Sequence, residues 1–207
     1  MALQCGLLQA AKAKASDASD RSFSFKAKDS VVKVPVPLSR FADLKVQLKH
    51  ARCMEEDMAQ YTFIEYTEDG ATVTARLPKP GYYLLRLFAS HPELSGLQQA
   101  ADYLLFSDKQ RPCEPFPRAY KLANQQRVRL LQPLIGLVPS GESTLYRVHA
   151  PSLGKISVAG KMMEKKNDGV WEAEVTPPEG KSDVTVFGAV DKDSKSLQGL
   201  YQFTVAT

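Results

Sequence analysis

Apolar and polar residues alternate along short stretches of this chain, and a period of two is typical of β-strands that bury one face. The clearest case is the stretch 81–90. One face of it is wholly apolar and consists of Tyr83, Leu85, Leu87 and Ala89. The other face consists of Tyr82, Leu84, Arg86 and Phe88. We therefore predict a strand here that forms a hairpin with a second strand at 101–107, across a polar loop at 91–100.

The same alternation predicts further strands on both sides of this hairpin. In the first half of the chain they are 31–36, 44–49, 61–68 and 71–77. In the second half they are 127–131, 144–149, 155–159, 162–165, 170–175, 183–190 and 200–207. Proline inside the first of these runs indicates an edge strand. Regular short strands separated by turns favour an all-β fold.

Two parts of the chain repeat the same order of elements. Ala71–Ala89 and Val170–Ala189 each contain an alternating strand, a corner of proline and glycine, and an apolar strand. Each is followed by a loop and a strand that carries a tyrosine, Tyr103 in one and Tyr201 in the other. The copies lie about a hundred residues apart, which is the size of a sandwich domain. One large barrel explains this repeat less well than two domains do.

The start of the strand at 81–90 carries a specific signal. Gly81-Tyr82-Tyr83-Leu84-Leu85 has the G-x-Y-x-C spacing of strand F in immunoglobulin domains, with leucine in place of the cysteine. In that fold the tyrosine hydroxyl closes the corner before the strand, and we expect Tyr83 to do the same. Leucine at the cysteine position predicts a sandwich held by packing rather than by a disulfide.

Together these patterns predict an all-β protein of two tandem immunoglobulin-like antiparallel β-sandwich domains with a short N-terminal tail. The predicted bounds are 29–110 and 122–207. The tail, 1–28, is predicted to be flexible or a short helix, and 111–121 to be a proline-rich linker. Phe116 and Tyr120 are the predicted anchors of this junction.

Composition narrows the class of protein. The 207-residue chain has a net charge of +4 and a pI near 8.9, but its lysines are dispersed, so we predict no nucleic-acid partner. Its three cysteines, Cys5, Cys53 and Cys113, lie far apart, which favours a reducing compartment. No apolar run has the length needed to cross a bilayer, and the N-terminus is a poor signal peptide. We therefore predict a cytoplasmic protein without a membrane span, and leave its oligomeric state open.

The residues that could carry chemistry do not form a pattern. Cys53 follows His50 by three positions, but a nucleophile also needs a base that reaches the sulfur and a third group that orients it. The three histidines are scattered and have no metal-ligand spacing. No glycine-rich phosphate-binding loop is present. We predict no catalytic residue, no metal site and no cofactor.

Aromatic residues invite the hypothesis of a stacking platform for sugars or single-stranded nucleic acid. Five of them fall on faces already assigned to cores, which favours packing. These are Tyr83, Tyr103, Trp171, Tyr201 and Phe203. By contrast, Tyr82, Leu84 and Phe88 point away from the predicted core. They either pack against another part of the chain or form a partner-binding surface.

Four motifs together resemble the region that follows the transglutaminase-like core in the kyphoscoliosis peptidase and hillarin family. They are Pro-x-x-Gly-Tyr-Tyr-x-Leu-x-x-Phe-Ala at Pro78–Ala89, Tyr-Leu-Leu at Tyr103–Leu105, Pro-Phe-Pro-x-x-Tyr at Pro115–Tyr120 and Leu-Ile-Gly-Leu-Val-Pro at Leu134–Pro139. The resemblance covers about Asp43–Thr207. It implies tandem immunoglobulin-like domains and association with the cytoskeleton. Residues 1–42 are too short for the family's catalytic core, so no catalytic residue is carried over.

The leading functional hypothesis is therefore a non-catalytic protein-interaction or scaffolding module, with a cytoskeletal partner implied by the resemblance. Binding would use a sheet edge or the outward face of the strand at 81–90. One alternative is a sandwich that binds carbohydrate or a small ligand through Tyr120 or Tyr146. A second alternative is a cysteine hydrolase that uses Cys53 or Cys113.

Overall fold

The computed structural model describes residues 24–37, 43–67, 70–91, 94–177 and 179–206. The chain divides between Cys113 and Glu114 into two compact units. The predicted tail lies outside the described residues as far as residue 23.

The described residues of the first unit form seven strands in two sheets. The strands are β1 Ser24–Lys26, β2 Val31–Pro37, β3 Leu44–His50, β4 Thr62–Thr67, β5 Gly70–Arg76, β6 Gly81–His91 and β7 Leu94–Ser107. A 3-10 turn at Ala59–Tyr61 precedes β4. The sheet orders are β1-β7-β6-β3 and β2-β5-β4. Neighbouring strands are antiparallel, except that β1 runs parallel to β7.

The core of the first unit lies between these sheets, where the inward positions of the alternating strands meet. Val34 and Val73 from one sheet and Leu48, Leu85 and Leu105 from the other are completely buried. Each belongs to the face that the alternation assigns to the interior. Burying apolar side chains from two sheets in one layer is what defines a β-sandwich.

The corner before β6 is closed by Tyr83, as predicted. Its hydroxyl donates a hydrogen bond to the Lys79 carbonyl at 2.8 Å and accepts one from the Lys79 N–H at 2.9 Å. The ring is buried and packs edge-on against His50, with 4.7 Å between the ring centroids. Burial raises the pKa of the Tyr83 phenol, although the hydrogen bond to Lys79 acts in the opposite direction. The prediction of a tyrosine-closed corner is confirmed.

The prediction of a polar loop at 91–100 is wrong for most of these residues. Strand β7 begins at Leu94 and is 14 residues long, so pairing with β6 continues past the core. Outside the core neither face must be apolar, which removes the alternation that sequence analysis depends on. Irregular pairing opposite Phe88 and His91 breaks the period further.

The described residues of the second unit also form two sheets. Its strands are β8 Arg118–Ala119, β9 Arg129–Gln132, β10 Leu137–Pro139, β11 Thr144–His149, β12 Lys155–Val158, β13 Lys161–Met162, β14 Glu164–Lys165, β15 Val170–Val175, β16 Asp183–Ala189 and β17 Gln198–Ala206. Helix α1 is Lys121–Gln125, and a 3-10 turn spans Asn167–Gly169. The sheet orders are β14-β15-β11-β9 and β10-β17-β16-β12-β13, and β8 pairs with β17. The predicted all-β fold of immunoglobulin-like sandwiches is confirmed.

Aromatic side chains fill the core of the second unit. Tyr146 and Phe203 are fully buried and meet edge to face, with ring centroids 5.2 Å apart. The Trp171 Nε1–H donates to the Ala150 carbonyl at 3.1 Å, and the Tyr201 hydroxyl donates to the Val128 carbonyl at 2.6 Å. Core positions are thus confirmed for Tyr83, Trp171, Tyr201 and Phe203. Tyr103 is half-buried and packs against the first core.

Tyr83→Phe is expected to lower the free energy of unfolding of the first unit by about 1–2 kcal/mol, because both hydrogen bonds to the Lys79 peptide are lost. Chemical denaturation followed by circular dichroism measures both units, whereas fluorescence of the single tryptophan, Trp171, follows the second unit alone. The shift should appear only in the circular dichroism. Tyr82→Phe is the control, since its exposed ring should keep stability within about 0.5 kcal/mol. Equal effects of the two variants would contradict the role of the corner.

Tyr146→Phe is expected to raise the free energy of unfolding of the second unit by about 1–2 kcal/mol, because the buried Tyr146 hydroxyl has no hydrogen-bond partner among the described residues. Tyr201→Phe is the matched control and should destabilise, since that hydroxyl is bonded. Trp171 fluorescence during denaturation reads out both variants.

Tyr146 is also expected to make the stability of the second unit depend on pH. Burial raises the pKa of Tyr146 to about 12. The folded state therefore holds the proton more tightly, so stability is intact below pH 10 and falls as the pH rises toward 12. This fall should be smaller in Tyr146→Phe, and an unchanged fall would assign it to other groups.

Candidate interaction surface

The outward face of the β1-β7-β6-β3 sheet carries apolar side chains on neighbouring strands. Tyr82 lies opposite Phe106, and Leu84 lies opposite Leu104, in the β6–β7 pairing. Directly opposite residues of an antiparallel pair project from the same face of the sheet. We call these four residues the apolar patch. Their rings and aliphatic chains form one continuous surface along two strands.

Exposure distinguishes this patch from the core behind it. Tyr82 is 53% exposed and Leu104 is 47% exposed, although both are large apolar residues. The Tyr82 and Phe106 rings pack at 4.9 Å between centroids, and Leu84 is half-buried between the strands. Exposed apolar side chains that are contiguous, rather than scattered singly, mark interaction sites.

Arg86 and Asp102 form an ion pair next to the patch on the same face. The Arg86 Nε and Nη2 groups donate to the two Asp102 carboxylate oxygens, each at 2.8 Å. This bidentate geometry raises the pKa of Arg86 and joins β6 to β7. Phe88 lies two residues further along β6, half-buried on the same face. The structure thus places Tyr82 and Leu84 together and sets Phe88 beyond the ion pair.

Sequence analysis missed Leu104 and Phe106, which complete the patch. The available signal was the alternation in 101–107: if Tyr103 and Leu105 face inward, then Leu104 and Phe106 must face outward. What could not be read was the register that sets them beside Leu84 and Tyr82, because it depends on the hairpin geometry.

A row of polar residues on β3 borders this face. Lys45, Gln47 and Lys49 lie opposite Phe88, Arg86 and Leu84 in the β3–β6 pairing. Neither lysine forms an ion pair with any residue that the structure describes. On the other side, Lys26 of β1 is paired with Asp108 at 3.0 Å, which lowers the pKa of that carboxyl group. The β3 border is therefore positive.

Phe116 and Tyr120, the predicted junction anchors, both make contacts within the second unit. Phe116 is buried, and its carbonyl approaches Gly136 so closely that a Cβ there would lie 2.5 Å from the oxygen. The Tyr120 ring covers Gly199, and its hydroxyl donates to Gln202 Oε1 at 2.8 Å. The Arg118 guanidinium lies 5.2 Å from the centre of that ring. Strand β8 and helix α1 thus occupy part of the predicted linker, while the anchoring role stays a prediction.

The geometry at His50 and Cys53 does not provide a nucleophile and its base. The buried His50 ring donates from Nε2 to the Pro80 carbonyl at 3.1 Å and accepts at Nδ1 from the Arg52 N–H at 3.3 Å. Both ring nitrogens are thus bound to main-chain groups. Cys53 is exposed, and its link to His50 is a main-chain hydrogen bond of 2.9 Å. Neither nitrogen of the His50 ring is directed at the Cys53 thiol.

The described residues contain neither a candidate metal site nor a membrane-spanning helix. No group of three or more histidine, cysteine, aspartate or glutamate side chains there could hold a metal ion. No helix in the same ranges has the length and apolar character to cross a membrane.

The fold and the patch together define an immunoglobulin-like protein with an exposed apolar sheet face. Residues 17–118 match the family model of the KY-like, immunoglobulin-like domain, so this part of the chain is similar to that domain. The resemblance to the kyphoscoliosis peptidase family is thereby confirmed. No curated protein matches the chain.

Solved structures give looser matches. A chimeric titin Z1Z2 carrying a decorin peptide is 15% identical, with 90% of this chain and 93% of that chain covered and a TM-score of 0.25. The insect immune protein hemolin is 11% identical, with 90% and 52% covered and a TM-score of 0.28. Bacteroides ovatus SGBP-B, solved with a mixed-linkage heptasaccharide, is 14% identical, with 89% and 43% covered and a TM-score of 0.28. This chain spans less than half of that last protein, and superpositions this loose carry no argument about function.

Cys53 is expected to react with iodoacetamide no faster than an unperturbed cysteine, because both ring nitrogens of the neighbouring His50 are bound to main-chain groups. The measurement uses Cys5→Ser/Cys113→Ser, which leaves one thiol, and follows alkylation by mass spectrometry from pH 6 to 9. Free cysteine is the reference. A markedly faster reaction at neutral pH would revive the hydrolase alternative.

Proposed function

We propose that this protein is a non-catalytic protein-interaction or scaffolding module that captures a partner on the apolar patch. The observation that carries the proposal is the contiguous exposure of Tyr82 and Leu104 on one face of a sheet whose other face packs against the core. Removing such side chains from water on binding favours association by about 25 cal/mol for each Å² of apolar surface.

The proposal extends to the setting of the module. The KY-like match supports a protein related to the region downstream of a transglutaminase-like core. We propose a cytoskeletal partner and a cytoplasmic location on that kinship. We also propose 29–110 and 122–207 as the domain bounds, with Phe116 and Tyr120 as junction anchors.

The alternatives receive less support from the described residues. Tyr146 is wholly buried, so the expectation that it serves as a loop aromatic for ligand binding is wrong. Tyr120 is half-buried, with its ring on Gly199 and its hydroxyl on Gln202. A carbohydrate platform needs exposed ring faces, and these two residues do not provide them.

Tyr82→Ser/Leu104→Ser is expected to abolish partner capture while the chain stays folded, since both side chains are about half exposed and outside the core. The wild-type chain and the variant are used side by side as bait in cell lysate, with bound proteins quantified by mass spectrometry. Circular dichroism confirms the fold. This pair of positions avoids Phe88, whose half-buried ring would confuse loss of binding with loss of stability.

Met162→Ser/Phe187→Ser is the matched control. It removes two exposed apolar side chains from the second unit, at 53% and 38% exposure, and should retain the same partners. Cytoskeletal proteins lost only from the patch variant are the expected result. Loss of the partners from both variants would indicate non-specific hydrophobic binding rather than binding at the patch. Capture that neither variant affects would show that the partner binds at another surface.

A further inference from the structure

We propose that the apolar patch recognises an acidic protein segment, in which aliphatic or aromatic side chains are flanked by carboxylates that pair with Lys45 and Lys49. This inference rests on the proposed function of the patch and adds the chemistry of its partner. The charges that border the patch are the observation that supports an acidic partner.

The charges on this sheet face are unequally balanced. Arg86 is neutralised by Asp102, and Lys26 by Asp108. Lys45 and Lys49 have no such partner among the described residues, and both sit on the β3 row that faces β6. A partner that covers the patch must approach these two cations, because Lys49 lies directly opposite Leu84. Carboxylates on the partner satisfy them, whereas lysines or arginines there would be repelled.

The spacing of the two lysines adds a geometric requirement. They lie four positions apart along an extended strand, which corresponds to about 13 Å. Gln47 between them offers an amide that donates and accepts hydrogen bonds. A partner segment therefore needs two acidic positions about 13 Å apart along one side, with apolar side chains on the side that meets Tyr82 and Leu104. In an extended segment this corresponds to acidic residues four positions apart.

Other occupants fit the face less well. A second copy of this chain would bring a net charge of +4 toward a border that is already positive. An acidic run, Glu55–Asp57, exists on the chain, but it lies in the connection after β3 and not on the sheet face. An anionic lipid surface would have to bury the Arg86–Asp102 pair beside the patch, carboxylate included, against headgroups of the same sign.

The test begins with selection from a random peptide display library, using the full chain as target at 50 mM salt. Sequences that combine aspartate or glutamate with aliphatic or aromatic residues should be enriched. The most enriched peptide is then synthesised, and its affinity is measured for the wild-type chain and for Lys45→Glu/Lys49→Glu. We expect the charge reversal to weaken binding at least about tenfold. Raising the salt to 500 mM should weaken wild-type binding as well, because screening acts on exposed charges.

Lys33→Glu/Lys121→Glu is the matched control, because it makes the same change of charge at exposed positions of β2 and α1. It should leave the affinity within about twofold, a shift expected from long-range field alone. A similar loss in both double variants would indicate attraction by net charge and would overturn the assignment to Lys45 and Lys49.

The remaining outcomes separate this inference from the proposed function. If Tyr82→Ser/Leu104→Ser abolishes peptide binding while Lys45→Glu/Lys49→Glu and salt do not, the patch binds proteins but the acidic partner is wrong. If Tyr82→Ser/Leu104→Ser leaves binding intact, the proposed function fails at this surface. Failure to enrich acidic sequences above the unselected library overturns the inference. So does concentration-dependent dimerisation through the patch in sedimentation, or binding to vesicles of phosphatidylserine and phosphatidylcholine that is lost with Tyr82→Ser/Leu104→Ser.

Discussion

The first unit depends on β6, the strand that pairs with β7 on one side and β3 on the other. Its inward residues Leu85 and Leu87 are buried in the core, and its outward residues Tyr82 and Leu84 form half of the patch. Tyr83 ties the start of this strand to the Lys79 peptide. Because side chains alternate strictly along a strand, fixing the inward set also fixes which residues face outward. The same alternation therefore produces both the core and the candidate surface.

The proposed interaction surface combines apolar and charged side chains on one sheet face. Its apolar side chains lie beside an ion pair that joins the two strands, and the lysine row stands at one border. The outward face can carry this combination because the inward face alone meets the demand for apolar packing. His50 shows the opposite arrangement, since its ring nitrogens are both engaged by main-chain groups and its ring supports the Tyr83 corner.

The two units form similar sandwiches, but different local hydrogen bonds and strand pairings stabilise them. In the first, a tyrosine hydroxyl bonded to the chain before β6 closes the corner. In the second, Trp171 and Tyr201 are bonded to main-chain carbonyls of other segments, and β8 and β10 both lie against β17. Each of these hydrogen bonds satisfies a polar group of a large buried side chain, and leaving such a group without a partner would cost free energy. Among the described residues, the buried Tyr146 hydroxyl lacks such a partner, and its removal should stabilise the fold.

The sequence by itself determined the strands that cross the cores, the inward faces of those strands and the Tyr83 corner. Period-two alternation and the Gly-x-Tyr spacing report these directly, since burial of one face dictates residue type. Sequence analysis did not predict short or uncovered elements such as β8, β10 and the first half of β7, because they contain too few buried positions to show a period. Only the tertiary structure decided that Leu104 stands beside Leu84 and that Lys49 borders both. Strand register and bulges set those neighbours, and they follow from hairpin geometry and packing across residues far apart in the chain.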